Sequence, residues 1–505
     1  MNLDNDLQGI QETRNALREA KLAQKLLEKM TQSQIDEIVS SMARTVENEA
    51  ERLGALAVEE TGFGRTADKK AKNLFVAKEV YAAIKDMKTV GIIRKDDSRQ
   101  VWEIAQPMGV VAAIIPSTNP TSTVIFKCMI ALKSRNAIVI SPHPSALRCS
   151  MESATLMRRT AEQAGAPAGL IHCLSSPTME ASQELMRNKL TDIILATGGT
   201  GMVKAAYSSG KPAYGVGPGN VPVYIHRSAK LSQAVSQIIQ SKTFDYGTIC
   251  ASEQALVVDE AVKPQLIEEL KRQGGYFLDD AETRRLASIL TVGKGMNPKV
   301  VGRSPQVIAN MAGIAIPHNT RVLIAEQTSV GIEHPFSAEK LCPVLAFYTV
   351  KDWQEGCGRC IELLELGGMG HTIGIHCEDP LIIEAFGLEK PASRIIVNTG
   401  TTFGGIGATT GIMPSMTLGC GSFGGNITSD NIGPQHLLNI KRVAFGLREM
   451  PATAETSVTD MRQVEDLVKE RIEESRQLTS LVKLGITREE VTRIIQTVLA
   501  EMQPK

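Results

Sequence analysis

The sequence predicts an α/β protein with two successive domains, each a wound parallel sheet, preceded by helices and followed by a set-apart tail. Three observations carry that prediction. Past Trp102, short apolar runs rich in β-branched residues stop at Pro or Gly and alternate with helical stretches, the pattern of buried parallel strands and their crossover helices. A second series of the same texture begins after Cys250. The 505 residues also exceed what one core supports, so about three structural units are expected.

The elements follow in order. Residues 1 to about 90 read as helices; in the segment from Thr31 to Gly62, Ile35, Ile38, Val39, Met42 and Val46 recur at helical spacing. The first strand series is GVVAAIIP (109–116), AIVISPHP (137–144), GLIHCLS (169–175) and DIILATGG (192–199). The second is QALVVD (254–259), RVLIAE (321–326), PVLAFYTV (343–350), HTIGIHC (371–377) and RIIVNTG (394–400). A glycine-rich, charge-poor stretch from about 404 to 436 has an irregular pattern that suggests ordered loops around a ligand.

Composition excludes several function classes. Lys plus Arg equals Asp plus Glu at 55 each, so the basic excess of a nucleic-acid or anionic-membrane surface is missing. No window approaches about 18 uninterrupted apolar residues, and the first residues lack the apolar core of a signal peptide. Nine cysteines, an odd and scattered set, fit a reducing cytosol. Cys357 and Cys360 form a lone C-x-x-C without a second pair or nearby histidines, so no metal site is expected.

The chemistry concentrates in FDYGTICASEQ (244–254). Small and glycine neighbours leave room beside the Cys250 sulfur. A deprotonated thiol there adds to a carbonyl, and a thioester formed on it remains activated for transfer to another thiol.

FDYGTICASEQ resembles the active-site segment of the aldehyde dehydrogenase superfamily, specifically its CoA-acylating branch. Further stretches match in order: PSTNPTST (116–123), SPHP (141–144), ATGGTGMVKAA (196–206), GVGPGNVPV (215–223), the run from Glu339 to Val344, GMGHTIGIH (368–376) and GGNITSDNIGPQHLLNIKR (424–442). The resemblance covers roughly 10–450. It implies a Rossmann-type NAD-binding domain plus an α/β catalytic domain, with Cys250 as nucleophile. Asn119 resembles the amide that forms an oxyanion hole with the Cys250 backbone N–H. Thr197, Gly198, Gly199 and Thr200 match the turn beneath the NAD pyrophosphate, where small residues let amides and a helix N-terminus approach the phosphates. Glu339 resembles the acid that binds the nicotinamide ribose.

Two departures from hydrolytic relatives matter. Those relatives carry a water-activating glutamate where this chain has the run from Gly215 to Asn220, including Gly217 at the cofactor, and no acid; without a general base the thioester persists until a thiol arrives. SPHP replaces a strand end that often carries a lysine, so Ser141, Pro142 and His143 are expected to line a site shared in turn by NAD and coenzyme A. His143 and His371 are left out of the catalytic set. Metal ligands are not expected.

The implied reaction joins a short aldehyde, CoA and NAD⁺ to give acyl-CoA and NADH, with acetaldehyde or propionaldehyde favoured. Sulfoacetaldehyde, a hydrolytic dehydrogenase and a non-enzymatic scaffold are the alternatives; a fused aldehyde–alcohol dehydrogenase would need a second, iron-dependent domain after Lys505. Family pairing through β-arms near 97–106 and 424–446 implies a homodimer or homotetramer. The expected boundaries are 1–235 for helices and nucleotide domain, 236–423 for the catalytic domain, 424–450 for the arm and return, and 451–505 for linker and tail. The tail resembles peptides that send enzymes into bacterial microcompartments: a linker, a polar helix near 460–480, a capping box from Thr487 to Glu490, and an apolar stripe of Val491, Ile494, Ile495, Val498, Leu499 and Met502. The expected location is cytoplasmic, in the lumen of such a compartment.

Overall fold

The computed structural model describes residues 4–293, 295–450 and 458–479, with six further positions between 489 and 497. The chain divides into two compact units, one ending at Val443 and one starting at Ala444.

In the first unit, helix Asn5–Leu27 precedes helix Gln32–Thr61. Thr31 and Gln34 form a capping box at the start of the second helix, and Gly62, at φ 67°, ends it in the left-handed conformation that glycine adopts without strain. Ile35, Ile38, Val39, Met42 and Val46 are all buried along its inner face.

The first sheet has five parallel strands. Their spatial order is Ile171–Cys173, Ala137–Ser141, Val110–Ile114, Ile193–Thr197 and Ala213–Val216. Strand order therefore reverses between Val110–Ile114 and Ile193–Thr197, and the crevice beyond the carboxyl ends at such a reversal is where wound α/β sheets hold ligands. The three central strands are buried on both faces almost throughout, which is why they read as unbroken apolar runs.

The second sheet has seven strands, in the order Gly275–Phe277, Val322–Glu326, Val344–Val350, Glu253–Asp259, Val221–Ile225, Gly370–His376 and Ala392–Val397. All its pairings are parallel. Here the expected boundary at 235 is corrected. Val221–Ile225 is a fully buried central strand of this sheet, so the chain crosses between the two domains within 217–220. Pro222 hides that strand in the sequence, because proline cannot donate to a ladder. The register shift between Val221 and Pro222 accommodates it.

The arm is a three-stranded sheet in the order Gly91–Asp96, Val101–Pro107 and Leu438–Ala444. Its first two strands are antiparallel and flank a turn within the expected 97–106 segment. In the second unit, helix Val458–Thr479 occupies the position expected for the polar tail helix. The linker over 451–457, Thr487 of the capping pattern and the apolar stripe from Val491 to Met502 lie outside the described residues. No described helix is long and apolar enough to cross a membrane.

Candidate active site

The carboxyl edge of the first sheet faces the residues that precede the strands of the second, and between them lies a cavity of about 540 Å³. Ten of the eleven residues singled out from sequence line it: Asn119, Ser141, Pro142, His143, Thr197, Gly198, Gly199, Gly217, Cys250 and Glu339. Thr200 does not. It is the exposed first residue of helix Thr200–Tyr207 and offers that helix end its backbone. Ile249, Ile406, Met416 and Leu418 supply apolar walls, and among the described residues no lysine or arginine lines the cavity.

Cys250 sits three residues before strand Glu253–Asp259, half-buried, after a strained approach. Asp245, Tyr246 and Gly247 are consecutive left-handed residues at φ 49°, 50° and 75°. Two of them carry side chains, and such backbone persists only where the surroundings over-determine it. The Asp245 side chain does so. It accepts from the Arg65 backbone N–H at 2.8 Å, from Lys69 at 2.7 Å, from Thr248 Oγ1 at 2.7 Å and from Lys72.

His371 is the residue that sequence reading set aside. It is wholly buried at the start of strand Gly370–His376, and its Nε2 lies 3.2 Å from Cys250 Sγ. Nδ1 pairs with Thr372 Oγ1 at 2.9 Å. Arg394, 3% exposed, donates to the His371 carbonyl at 2.8 Å and the Gly419 carbonyl at 2.7 Å, fixing this strand end. Burial pushes the Cys250 thiol up to about 12; nearby Glu339 and Cys420 add to the shift and Arg394 opposes it. Burial and then Arg394 hold His371 well below the usual imidazole range. At neutral pH the pair is therefore thiol and neutral imidazole. A histidine inside an apolar strand carries no local signal of this contact; only the fold supplies it.

His143 does a structural task at the exposed rim. Its Nδ1 accepts from the Ser145 backbone N–H at 3.2 Å and pairs with Ser145 Oγ at 2.8 Å, capping the short turn Pro144–Ala146.

The glycines of 215–220 differ in purpose. A Cβ on Gly215 would meet Val203 Cγ1 at 2.7 Å and the Tyr207 ring at 2.9 Å, so that position has no room for an acid. Gly217 is open and lines the cavity with Val216 and Pro218. A Cβ on Gly219 would lie 2.2 Å from the Cys250 carbonyl oxygen, and the Gly219 N–H donates to Glu339 Oε1 at 3.0 Å. Among the described residues Glu339 is the one carboxylate lining the cavity, and burial pushes it up to about 7 against the Gly219 N–H and Lys242.

The nucleotide edge fits a diphosphate. Thr197 Oγ1 is buried without a hydrogen-bond partner among the described residues. Gly199 caps helix Thr200–Tyr207 without a side-chain bond, and neither Gly199 nor Gly201 has a neighbour within 4 Å of a Cβ position. Free amides on an unencumbered helix N-terminus receive phosphate oxygens without a lysine.

This arrangement defines a class: two-domain α/β proteins that present a cysteine to the ligand-binding edge of a Rossmann-type sheet. The chain belongs to the aldehyde dehydrogenase family, whose model matches residues 7–274. It is 65% identical to the solved acetylating aldehyde dehydrogenase of Geobacillus thermoglucosidasius, with a TM-score of 0.88 over 89% of this chain and 100% of that one. It is 43% identical to the bifunctional aldehyde-alcohol dehydrogenase AdhE of Escherichia coli K12 over 85% of this chain and 49% of that protein. The chain thus spans about half the length of the curated relatives it matches first. A propionaldehyde dehydrogenase from the fucose utilisation microcompartment of Clostridium phytofermentans is 27% identical, with a TM-score of 0.79 over 87% of this chain and 99% of that one.

The protonation state of the thiol is open to direct test. With Cys250 raised to about 12, only the thiolate reacts, so alkylation by iodoacetamide, followed at the Cys250 peptide by mass spectrometry, should accelerate steadily with pH and show no plateau below about pH 10. A plateau near neutrality would mean a preformed thiolate–imidazolium pair.

Proposed function

We propose that this chain is an acylating aldehyde dehydrogenase that converts a short apolar aldehyde, CoA and NAD⁺ to acyl-CoA and NADH. The carrying observation is the cavity itself: it joins Cys250 to the nucleotide edge and holds no acid in the 215–220 run that could activate water. Similarity to an acetylating and a propionaldehyde dehydrogenase supports the reading.

The chemistry follows from the groups in place. The Cys250 sulfur forms a bond to the aldehyde carbon while its proton passes to His371 Nε2, 3.2 Å away. Because both groups rest neutral, proton transfer is coupled to formation of the carbon–sulfur bond. The Asn119 side-chain amide and the Cys250 backbone N–H receive the carbonyl oxygen as it gains negative charge. The Thr197–Gly199 turn would hold the diphosphate of NAD⁺ and Glu339 its ribose, and the bound cofactor would supply the hydride acceptor that the thiohemiacetal needs to become a thioester. The CoA thiol then enters by the same mouth, past Ser141, Pro142 and His143. Once His371 has released the first proton to solvent, the CoA sulfur attacks the thioester carbonyl, His371 relays the CoA thiol proton, and Cys250 leaves as the free thiol.

The lining also bears on substrate class. An aldehyde carrying a sulfonate or carboxylate needs a cation, and among the described residues no lysine or arginine lines the cavity; unbranched apolar aldehydes such as acetaldehyde and propionaldehyde suit walls of Ile249, Ile406, Met416 and Leu418. Glu339, titrating near 7 within the cavity, gives the hydrolytic reading its one foothold. The exposed three-stranded arm supports pairing of copies into a homodimer or homotetramer. Likeness to a microcompartment enzyme and the tail pattern over 487–502 support residence in such a compartment's lumen.

Two experiments check these proposals. NADH formation from propionaldehyde should proceed steadily only with CoA present, and Cys250→Ala should abolish it; equal turnover without CoA would establish the hydrolytic reading. A fluorescent protein fused to residues 451–505 should co-localise with microcompartment shells, whereas diffuse fluorescence beside intact shells would remove the targeting proposal.

A further inference from the structure

Beside the cavity, but outside its lining, lies a buried cluster that the reaction described so far does not use. Lys69 and Lys72 stand three residues apart on helix Thr66–Phe75, and both are at most 2% exposed. Asp245 is 0% exposed. Burial works against ionisation of this carboxyl, yet the two ammonium groups hold it down at about 2. Burial lowers Lys72 to about 8, with Asp245 opposing. Buried ammonium groups need partners, and beyond Asp245 and the nearby Asp68, which also favours the charged Lys72, the remaining contacts of these lysines are consequential.

Those partners are specific. Lys72 Nζ donates to Asn119 Oδ1 at 2.5 Å and to Thr248 Oγ1 at 3.0 Å. Lys69 donates to the Thr118 carbonyl at 2.5 Å. An ammonium has donors only, so the Asn119 atom facing Lys72 must be the carbonyl oxygen. The amide is thereby fixed in one of its two orientations. Its Nδ2 turns to the Thr248 carbonyl at 3.3 Å, two residues before Cys250, and to Thr118 Oγ1 at 3.2 Å. Both are long for hydrogen bonds, so the donor is oriented without being tightly occupied. Withdrawal of charge through Oδ1 also strengthens the N–H as a donor.

We propose that Lys72, anchored by Asp245, is a positioning residue for the oxyanion donor: it fixes the Asn119 amide with Oδ1 toward the ammonium and Nδ2 toward the reacting carbonyl. The same Asp245 holds the strained 245–247 backbone, so one buried group sets both the nucleophile's approach and its electrostatic partner. The proposal rests on thiol addition at Cys250, and on neither the acceptor nor the cofactor assigned above.

The test therefore uses acylation of the full chain by p-nitrophenyl acetate, which needs neither NAD nor CoA. The thiol sulfur attacks the ester carbonyl, nitrophenolate departs, and the burst measures formation of acyl-Cys250. Asn119→Ala should slow the burst by about 10²–10³, the usual loss for one oxyanion donor. Lys72→Met should slow it by roughly tenfold or more, and Lys72→Arg, which keeps a cationic donor, should recover part of that loss. The double variant should be no slower than Asn119→Ala alone, because a residue acting through Asn119 has nothing further to lose. Iodoacetamide alkylation of Cys250, which passes through no oxyanion, should be unchanged in every variant. Multiplicative losses in the double variant would overturn the proposal, as would an unchanged burst in Lys72→Met or alkylation that falls in step with it. If Lys72→Met fails to fold, Lys72→Gln carries the same cycle. A normal cycle in an enzyme that turns over without CoA would retain Lys72's role and discard only the acylating reading.

Discussion

Much of this structure turns on one close approach, where the backbone at Gly219 passes the Cys250 carbonyl. A Cβ there would lie 2.2 Å from that oxygen, so only glycine lets the chain cross from the edge strand Ala213–Val216 of the first sheet to the central strand Val221–Ile225 of the second. The same residue donates to Glu339, and its neighbours Val216, Gly217 and Pro218 form a wall of the cavity. The crossing thus places the carboxyl edge of the first sheet, the Cys250 thiol and the Glu339 carboxylate in mutual register. Gly368, at φ 89°, clears the next step: a Cβ on it would meet the Asn220 backbone nitrogen at 2.3 Å.

Around that crossing, burial decides the chemistry. The thiol, His371 and Glu339 are each displaced toward their neutral forms, and among the described residues no lysine or arginine lines the cavity. Such a pocket discourages ionised substrates and makes the few oriented dipoles within it effective. Charge is kept one layer back, in Lys69, Lys72, Asp245 and Arg394, where it holds backbone and amide groups in place.

How much of this was legible in the sequence depended on whether the signal was local. Continuous apolar runs marked buried parallel strands such as Val110–Ile114, Ala137–Ser141 and Val344–Val350, because strands covered on both faces need no alternation. Val221–Ile225 escaped, since Pro222 and the preceding glycines read as a turn, and the domain boundary was misplaced accordingly. Motif residues around Cys250, Thr197 and Glu339 converged on one cavity, while Thr200 stayed outside it. His371 and Arg394 lay in apolar strands with nothing in their neighbours to betray a contact made 121 residues away in sequence. Lys69 and Lys72 sit in TADKKAKN, which reads as a solvated helix face; their burial depends on Asp245 arriving from the segment that leads into strand Glu253–Asp259 of the second sheet.

On the reaction proposed above, an acyl thioester on Cys250 waits for a thiol because the 215–220 run holds no carboxylate to activate water. Intact-mass spectrometry of the protein mixed with NAD⁺ and propionaldehyde, but without CoA, tests it most directly. The account predicts a propionyl adduct on Cys250 that accumulates to near stoichiometry and disappears when CoA is added. Unmodified protein alongside a steady build-up of propionate and NADH would contradict it.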